Sequence, residues 1–177
     1  IYYLTGTPAT AVQFIMAISI VSMALGMLAF LSSSGYFSAA VGSLIYIYSP
    51  YTAFNLYQRG SLGEIVAMGI VPWIFWAVSR NKLIISALLL AALILSHNVV
   101  AAIFLPVILA YSFHKCYKNY KNYKLEILYL MLGFGLSAFF WIPALYEYRF
   151  IRASAINVSD FTNEYLTINQ AISRSGL

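Results

Sequence analysis

The sequence predicts an all-α protein, a polytopic bundle of transmembrane helices. Hydrophobic residues make up 62% of the chain and charged residues 8%, and the mean hydropathy is +0.82. An ordinary soluble domain carries about 25% charged residues, so a soluble surface is excluded. No charged residue precedes Arg59. Residues 1–152 are therefore predicted to form a transmembrane helical region.

Six apolar segments are predicted to cross the membrane: residues 10–31, 36–49, 62–78, 83–95, 99–113 and 125–146. The first is uncharged and about 33 Å long as a helix, which matches a hydrocarbon core of about 30 Å. The second is short and spans only if the bilayer thins. The third follows Ser61 and Glu64, which have the spacing of a capping box. We expect Pro72 to kink it and Trp73 to lie near the interface.

Two basic loops set the predicted topology. Arg80, Lys82 and residues 115–124 hold six of the ten Lys and Arg residues, and short loops of this kind stay cytoplasmic. Residues 83–113 then cross an even number of times, which predicts a helical hairpin with Ser96-His97-Asn98 at its tip. The alternative is one continuous helix kinked at Pro106, which would place the two loops on opposite sides and bury His97 within the membrane.

The C-terminal part is more polar. Trp141, Tyr146 and Tyr148 fit an aromatic belt at the outer interface. Residues 153–177 are predicted to be the start of an exoplasmic soluble region. Because the sequence opens on Ile1 and ends within a pattern, we expect it to be an internal piece of a longer protein.

This topology gathers polar residues at the outer face. Polar groups at membrane depth are costly and tend to be functional, so these residues are candidates for substrate binding: Arg59, Tyr57, Glu64, His97 and Asn98. Each also has a structural explanation. Arg59 can reach the interface or pair with Glu64, Glu64 can cap a helix, His97 and Asn98 can satisfy a turn, and Tyr57 can belong to the belt.

Several classes of function are excluded. The sequence has no metal-ligand spacing, no phosphate-binding glycine loop and no nucleophile elbow. With Cys116 as the only cysteine, an intrachain disulfide is excluded. The net charge of +5 is explained by the loop lysines, so no nucleic-acid partner is expected. No cofactor is identified, and a divalent metal would have to be bound by residues outside this sequence.

Five motifs occur in a fixed order: YSPY (48–51), LYQRGSLGE (56–64), Pro72, SHN (96–98) and FWIPALYE (140–147). Over residues 36–152 they resemble bacterial membrane proteins of the 6-pyruvoyl-tetrahydropterin synthase-related type. These are similar to YfhO-like proteins and to GT-C glycosyltransferases. The order and spacing of the motifs carry the resemblance, because each motif alone is short.

The resemblance implies a multi-pass enzyme of the cell membrane with a GT-C-like fold. Its partners would be membrane lipids and a lipid-linked sugar donor, from which it transfers a sugar carried on polyprenyl phosphate at the outer face. Arg59 would bind the phosphate, Glu64 would orient Arg59, and His97 with Asn98 would position phosphate or sugar hydroxyls. GT-C enzymes usually carry their catalytic acidic residues in a first exoplasmic loop, which would lie upstream of this sequence, so no catalytic residue is assigned.

Two other classes remain open. A transporter or flippase of a lipid-linked or anionic solute would use the short segments near Ser49 and His97 as broken helices that line a pathway. A non-catalytic membrane scaffold would not need the polar residues. The sequence predicts neither the sugar nor the oligomeric state.

Overall fold

The computed structural model describes residues 7–118 and 123–147. Within these ranges the chain forms helices and contains no strand, so the predicted all-α polytopic fold is confirmed. The predicted exoplasmic region, residues 153–177, and the belt residue Tyr148 lie outside the described residues.

Eight α-helices follow one another along the described chain: α1 Pro8–Leu31, α2 Tyr36–Ile47, α3 Pro50–Phe54, α4 Leu62–Ser79, α5 Leu83–Ser96, α6 Asn98–Lys118, α7 Tyr123–Leu136 and α8 Ala138–Glu147. A 3₁₀ turn, Ser32–Ser34, follows α1, and a π-helical turn, Asn55–Arg59, follows α3. Thr7 caps α1 and Ser49 caps α3 through their side-chain oxygens, each with proline at the next position.

Within residues 7–118 and 123–147, three helical segments are long and apolar enough to cross a membrane: Pro8–Ser34, Leu62–Ser79 and Asn98–Lys115. They become four if Lys124–Leu136 and Ala138–Glu147 count as one bent span. Helices α2 and α5 are apolar but have only 12 and 14 residues. At 1.5 Å per residue they are about 18 and 21 Å long, less than a full hydrocarbon core of about 30 Å. Two of the six predicted spans are therefore short helices.

Helices α1 and α4 run in parallel. The Ser22 hydroxyl donates to the Gly69 carbonyl at 3.0 Å, and the Trp73 indole donates to the Ser22 carbonyl at 3.1 Å. Just past the C-terminal ends of both helices, the Arg80 guanidinium donates to the Ser32 hydroxyl at 3.3 Å. The Trp73 ring packs between the two helices, where its N–H finds an acceptor. Its predicted place near the membrane interface stays a prediction.

Helices α5 and α6 form an antiparallel hairpin. Only His97, in an extended conformation (φ −160°, ψ 111°), separates them. Near the end of α6, Lys115 donates to the side-chain oxygen of Asn81, just before α5, at 2.7 Å. The structure therefore excludes one continuous helix through residues 83–113, and it brings both basic segments to one end of the bundle.

Helix α4 forms the centre of the bundle, where it contacts α1, α5 and α6. Its buried apolar residues are at most 5% exposed: Ile65, Ala67, Met68, Val71, Ile74, Ala77 and Val78. Small residues permit close helix packing, because a Cβ atom on Gly69 would lie 3.2 Å from the Ser19 carbonyl oxygen. Large apolar side chains such as Phe14 and Ile18 stay exposed on the outside, as expected for helices surrounded by lipid.

Candidate functional site

Three polar side chains meet around one buried carboxylate, and we call the four residues the Glu64 cluster: Tyr51, Arg59, Glu64 and His97. Glu64 lies in the first turn of α4 and is 3% exposed. The Tyr51 hydroxyl donates to Oε2 at 2.6 Å, and Arg59 Nη1 lies 3.0 Å from Oε1 and 3.2 Å from Oε2. His97 Nε2 lies 3.7 Å from Oε1. The carboxylate is thus surrounded by potential donors from three parts of the chain.

The local backbone explains how Arg59 and Glu64 come together. The π-helical turn ends at Arg59, and Gly60 adopts a left-handed conformation with φ 60°, which glycine accepts without strain. The chain then enters α4 after Ser61, as predicted. The Ser61 side chain makes no capping hydrogen bond to the helix backbone, so the predicted capping box is not completed. Glu64 remains favoured near the helix N-terminus by the positive end of the helix dipole.

The hydrogen bonds of His97 define which ring atom can donate. The backbone N–H of Val100 donates to Nδ1 at 3.3 Å, so Nδ1 acts as an acceptor. In the neutral imidazole the proton therefore resides on Nε2, which faces Glu64. His97 is accordingly a donor toward the cluster, and it caps the start of α6 with its other nitrogen.

Arg59 is the solvent-exposed cation of the cluster. Its side chain is 50% exposed, against 4% for Glu64 and 25% for His97. Among the described residues, no hydrogen bond reaches the Nη2 or Nε atoms of Arg59. Desolvation raises the pKa of Tyr51, and its hydrogen bond to Glu64 raises it further, so the phenol remains a donor at neutral pH. The cluster therefore presents a fixed cation with unused donors.

Two of the five predicted site residues lie apart from the cluster. Tyr57 is 82% exposed and makes none of its contacts. The Asn98 side chain accepts from the Val99 backbone at 2.9 Å, because it begins α6. Asn98 also lines a separate, largely apolar cavity of about 190 Å³ that includes Trp141. The structure thus brings Arg59, Glu64 and His97 together and does not add Tyr57 or Asn98.

Two residues at or beside the cluster, Tyr51 and Asn55, were not among the candidates predicted from the sequence. Asn55 is 1% exposed, and neither its Nδ2 nor its Oδ1 atom has a hydrogen-bond partner in the described part of the chain. Tyr51, Asn55 and Arg59 recur at every fourth position, a spacing that places residues on one side of a helix. That spacing was the available signal.

A second charged cluster, which we call the Lys115 cluster, lies at the opposite end of α4. Lys115 Nζ lies 2.7 Å from Glu126 Oε1 and 2.7 Å from Asn81 Oδ1, and it also donates to the Val78 carbonyl. The sequence placed Lys115 in a loop, but α6 continues to Lys118. The Lys115 side chain is therefore directed into the bundle, where it is only 17% exposed.

Metal binding finds no support in residues 7–118 and 123–147. No group of three or more His, Cys, Asp or Glu side chains there could hold a metal ion. Glu64 and His97 are the only members of the Glu64 cluster with metal-binding chemistry. The described side chains of the Glu64 cluster offer hydrogen-bond donors and charge.

Comparison with protein families identifies the chain. The family model of the 6-pyruvoyl-tetrahydropterin synthase related domain, a membrane protein family, matches residues 1–166. The chain belongs to this family. The match confirms the predicted resemblance to this type, and with the apolar helices it describes a multi-pass membrane protein. The chain matches no curated protein and no solved structure.

Proposed function

We propose that this family member is a GT-C-like glycosyltransferase that binds a sugar linked to polyprenyl phosphate at the outer face of the cell membrane. The observation that carries the proposal is the Arg59 guanidinium, half exposed and held by the buried Glu64 carboxylate. A guanidinium offers a planar fork of donors that fits two phosphate oxygens. Because one nitrogen is fixed by Glu64, the others keep a constant direction toward a ligand.

The position of the cluster supports a lipid phosphate as the ligand. The headgroup of a lipid lies at the membrane interface, and Arg59 lies just before the apolar helix Leu62–Ser79. The basic residues near Asn81 and Lys115 lie at the other end of the bundle, which favours a cytoplasmic position for that end. The Glu64 cluster would then face outward, where the sugar is transferred.

The chemistry of transfer fits the charges of the cluster. When the sugar leaves the carrier, negative charge develops on the polyprenyl phosphate. A cation held in a fixed position stabilises that charge without reorganising. Arg59 would supply the cation, His97 Nε2–H a second donor, and Glu64 the orientation of Arg59. No residue of this chain is assigned as the catalytic base.

A binding experiment tests the phosphate site. The full-length protein in lipid nanodiscs would be titrated with polyprenyl monophosphate and with the polyprenol of equal chain length. We expect the wild type to prefer the phosphate. Arg59→Ala should weaken phosphate binding about 10- to 100-fold, the worth of a charge-assisted hydrogen bond. Arg80→Ala removes an exposed cation at the other end and should leave binding unchanged.

Two results would contradict the proposal. One is equal affinity of the wild type for the phosphate and the alcohol. The other is undiminished phosphate binding, or unchanged sugar transfer, by an Arg59→Ala protein that inserts normally into the membrane. A scaffold predicts this second result, since it does not need the polar cluster.

A lipid transporter or flippase is the second candidate, and one observation favours it. The Glu64 cluster lies where helices are interrupted, near Ser49 between α2 and α3 and at His97 between α5 and α6. Transporters often bind their substrates at such interruptions. Proteoliposomes with labelled polyprenyl-phosphate sugar would separate the two candidates. Movement of intact lipid between leaflets supports the transporter, whereas loss of the sugar to an acceptor supports the transferase.

A further inference from the structure

The Asn55 side chain is a buried amide without partners beside the Glu64 cluster. It begins the π-helical turn that ends at Arg59. Its Nδ2 and Oδ1 atoms both lack a hydrogen bond within the described residues, although the residue is 1% exposed. Buried side-chain polar groups nearly always have partners, and an exception calls for an explanation such as a ligand or a bound water. π-Helical turns are also frequent at functional sites.

Asn55 lies on the same side of the helix as Tyr51 and Arg59, which are four residues before and after it. Desolvation and the hydrogen bond to Glu64 raise the pKa of Tyr51, whereas a weak contact with the Asn55 amide, too poor in geometry to count as a hydrogen bond, lowers it. Tyr51 in turn donates to Glu64, which holds Arg59. A ligand bound at Arg59 would therefore have the amide as a near neighbour on the same helical turn.

We infer that Asn55 is a further binding residue of this site and pairs with a hydroxyl group of the sugar whose phosphate binds Arg59. The inference rests on the proposed function and names a second subsite within it. A carboxamide offers one acceptor and two donors, and a hydroxyl group is both donor and acceptor. An ionised phosphate has acceptors only, so it would leave Oδ1 of Asn55 unpaired. The unpaired donors and acceptor of the amide thus match a sugar hydroxyl better than a second phosphate oxygen.

Access to the amide requires a local movement. Because Asn55 is 1% exposed, a sugar hydroxyl reaches its amide only after neighbouring residues shift.

The test measures a sugar preference. The full-length protein in nanodiscs would be titrated with polyprenyl monophosphate and with its glucosyl, galactosyl and mannosyl forms. We expect at least one hexosyl form to bind the wild type more tightly than the monophosphate. Asn55→Leu should reduce that gain about tenfold, the worth of a good hydrogen bond, and leave monophosphate binding unchanged. Its melting temperature should not fall, since no hydrogen bond of the ligand-free protein is lost.

Thr52→Val is the matched control. Thr52 is 3% exposed in the same segment, but its hydroxyl already pairs with the Ser49 hydroxyl at 2.8 Å. This variant should lose thermal stability and keep the sugar preference, the opposite of Asn55→Leu.

Each outcome is decisive. If the wild type does not bind the monophosphate, the proposed function fails. If it binds the monophosphate but gains nothing from any of the three hexoses, the phosphate site stands and the inference about Asn55 is overturned. An unreduced sugar gain in Asn55→Leu also overturns it and assigns the amide to a bound water or to structure alone.

Discussion

A buried carboxylate paired with a cation lies near each end of the central helix α4, Glu64 on α4 itself and Glu126 on α7, and the two cations differ in their exposure. At one end Glu64 pairs with Arg59, whose side chain is 50% exposed. At the other end Glu126 pairs with Lys115, whose side chain is 17% exposed. The carboxylates are almost equally buried, at 4% and 7% of their side-chain surface. The difference between the pairs therefore lies in the cation.

The partners of each cation show what the difference means. Lys115 has three donors and three acceptor oxygens around it, from Glu126, Asn81 and Val78, so its hydrogen bonds are complete. It joins α6 and α7 to the segment between α4 and α5. Arg59 has five donors and uses one nitrogen on Glu64. A cation whose donors all have acceptors within the protein stabilises the fold, whereas a cation with unused donors is suited to bind a ligand.

The largest expected effect is an all-or-none difference in labelling between the two ends. Single cysteines at Lys82, Asn98 and His114 in a Cys116→Ser background would be treated with a membrane-impermeant thiol reagent in intact cells. All three positions are exposed, and Lys82 and His114 lie near the Lys115 cluster. We expect labelling at position 98 alone, and labelling at 82 and 114 only after the membrane is opened.

Two labelling patterns would contradict this arrangement of the two ends. Labelling at 82 and 114 but not 98 would turn the Glu64 cluster toward the cytoplasm and contradict the proposed outer site. Different labelling of 82 and 114 would contradict the hairpin itself, because α5 and α6 place both residues at one end.

The next effect concerns stability at the Lys115 cluster. Lys115→Met leaves Glu126 buried without its cation, and breaking a buried pair in this way costs about 3–5 kcal/mol. We expect a loss of this size in the free energy of unfolding, measured in detergent. Replacing Glu126 with Leu as well should recover much of it. Lys82→Met, a change at an exposed lysine, is the control and should cost little. If Lys115→Met were as stable as Lys82→Met, the Lys115 cluster would not hold the helices together.

Tyr51→Phe should have a smaller effect, about 1.5–3 kcal/mol, because it removes one hydrogen bond to a charged group. The pKa of Tyr51 is raised above 10.0 in the folded protein. Its contribution to stability is therefore complete below pH 10 and is lost as the pH rises through the raised pKa. The difference in unfolding free energy between wild type and Tyr51→Phe, followed from pH 8 to 12, should shrink at the alkaline end. A difference that stays constant would show that the Tyr51 hydroxyl does not titrate in contact with Glu64.

The helical fold could be predicted because of the surroundings of the chain. Backbone groups in lipid must pair within their own segment, so apolar runs become helices whatever their neighbours. The hairpin could be predicted because lysines and arginines flank residues 83–113 on both sides, and the positive-inside rule predicts that both flanks stay on one side of the membrane. Both rules act on local composition, which a sequence displays directly.

The site could be predicted only in part, because side-chain pairing depends on neighbours from distant segments. Arg59 and Glu64 are close in sequence and were expected to pair, whereas nothing near Lys115 indicates a contact with Asn81. The π-helical turn has no sequence signature. Asn55 is buried while Tyr57, two residues later, is exposed, and Tyr51 and not Tyr57 reaches Glu64.

Gly63 allows the start of α4 to approach the tip of the α5–α6 hairpin closely. A Cβ atom at this position would lie 3.0 Å from the Ser96 carbonyl oxygen and 3.4 Å from the His97 ring. The nearer contact is with backbone, so no change of rotamer can relieve it. A methyl group here would push the hairpin tip, and His97 with it, a few tenths of an ångström away from α4, although no polar side chain of the site is replaced. In a genetic screen for loss of function, a residue without functional atoms would then behave like His97, and suppressors would arise in the segment around Ser96.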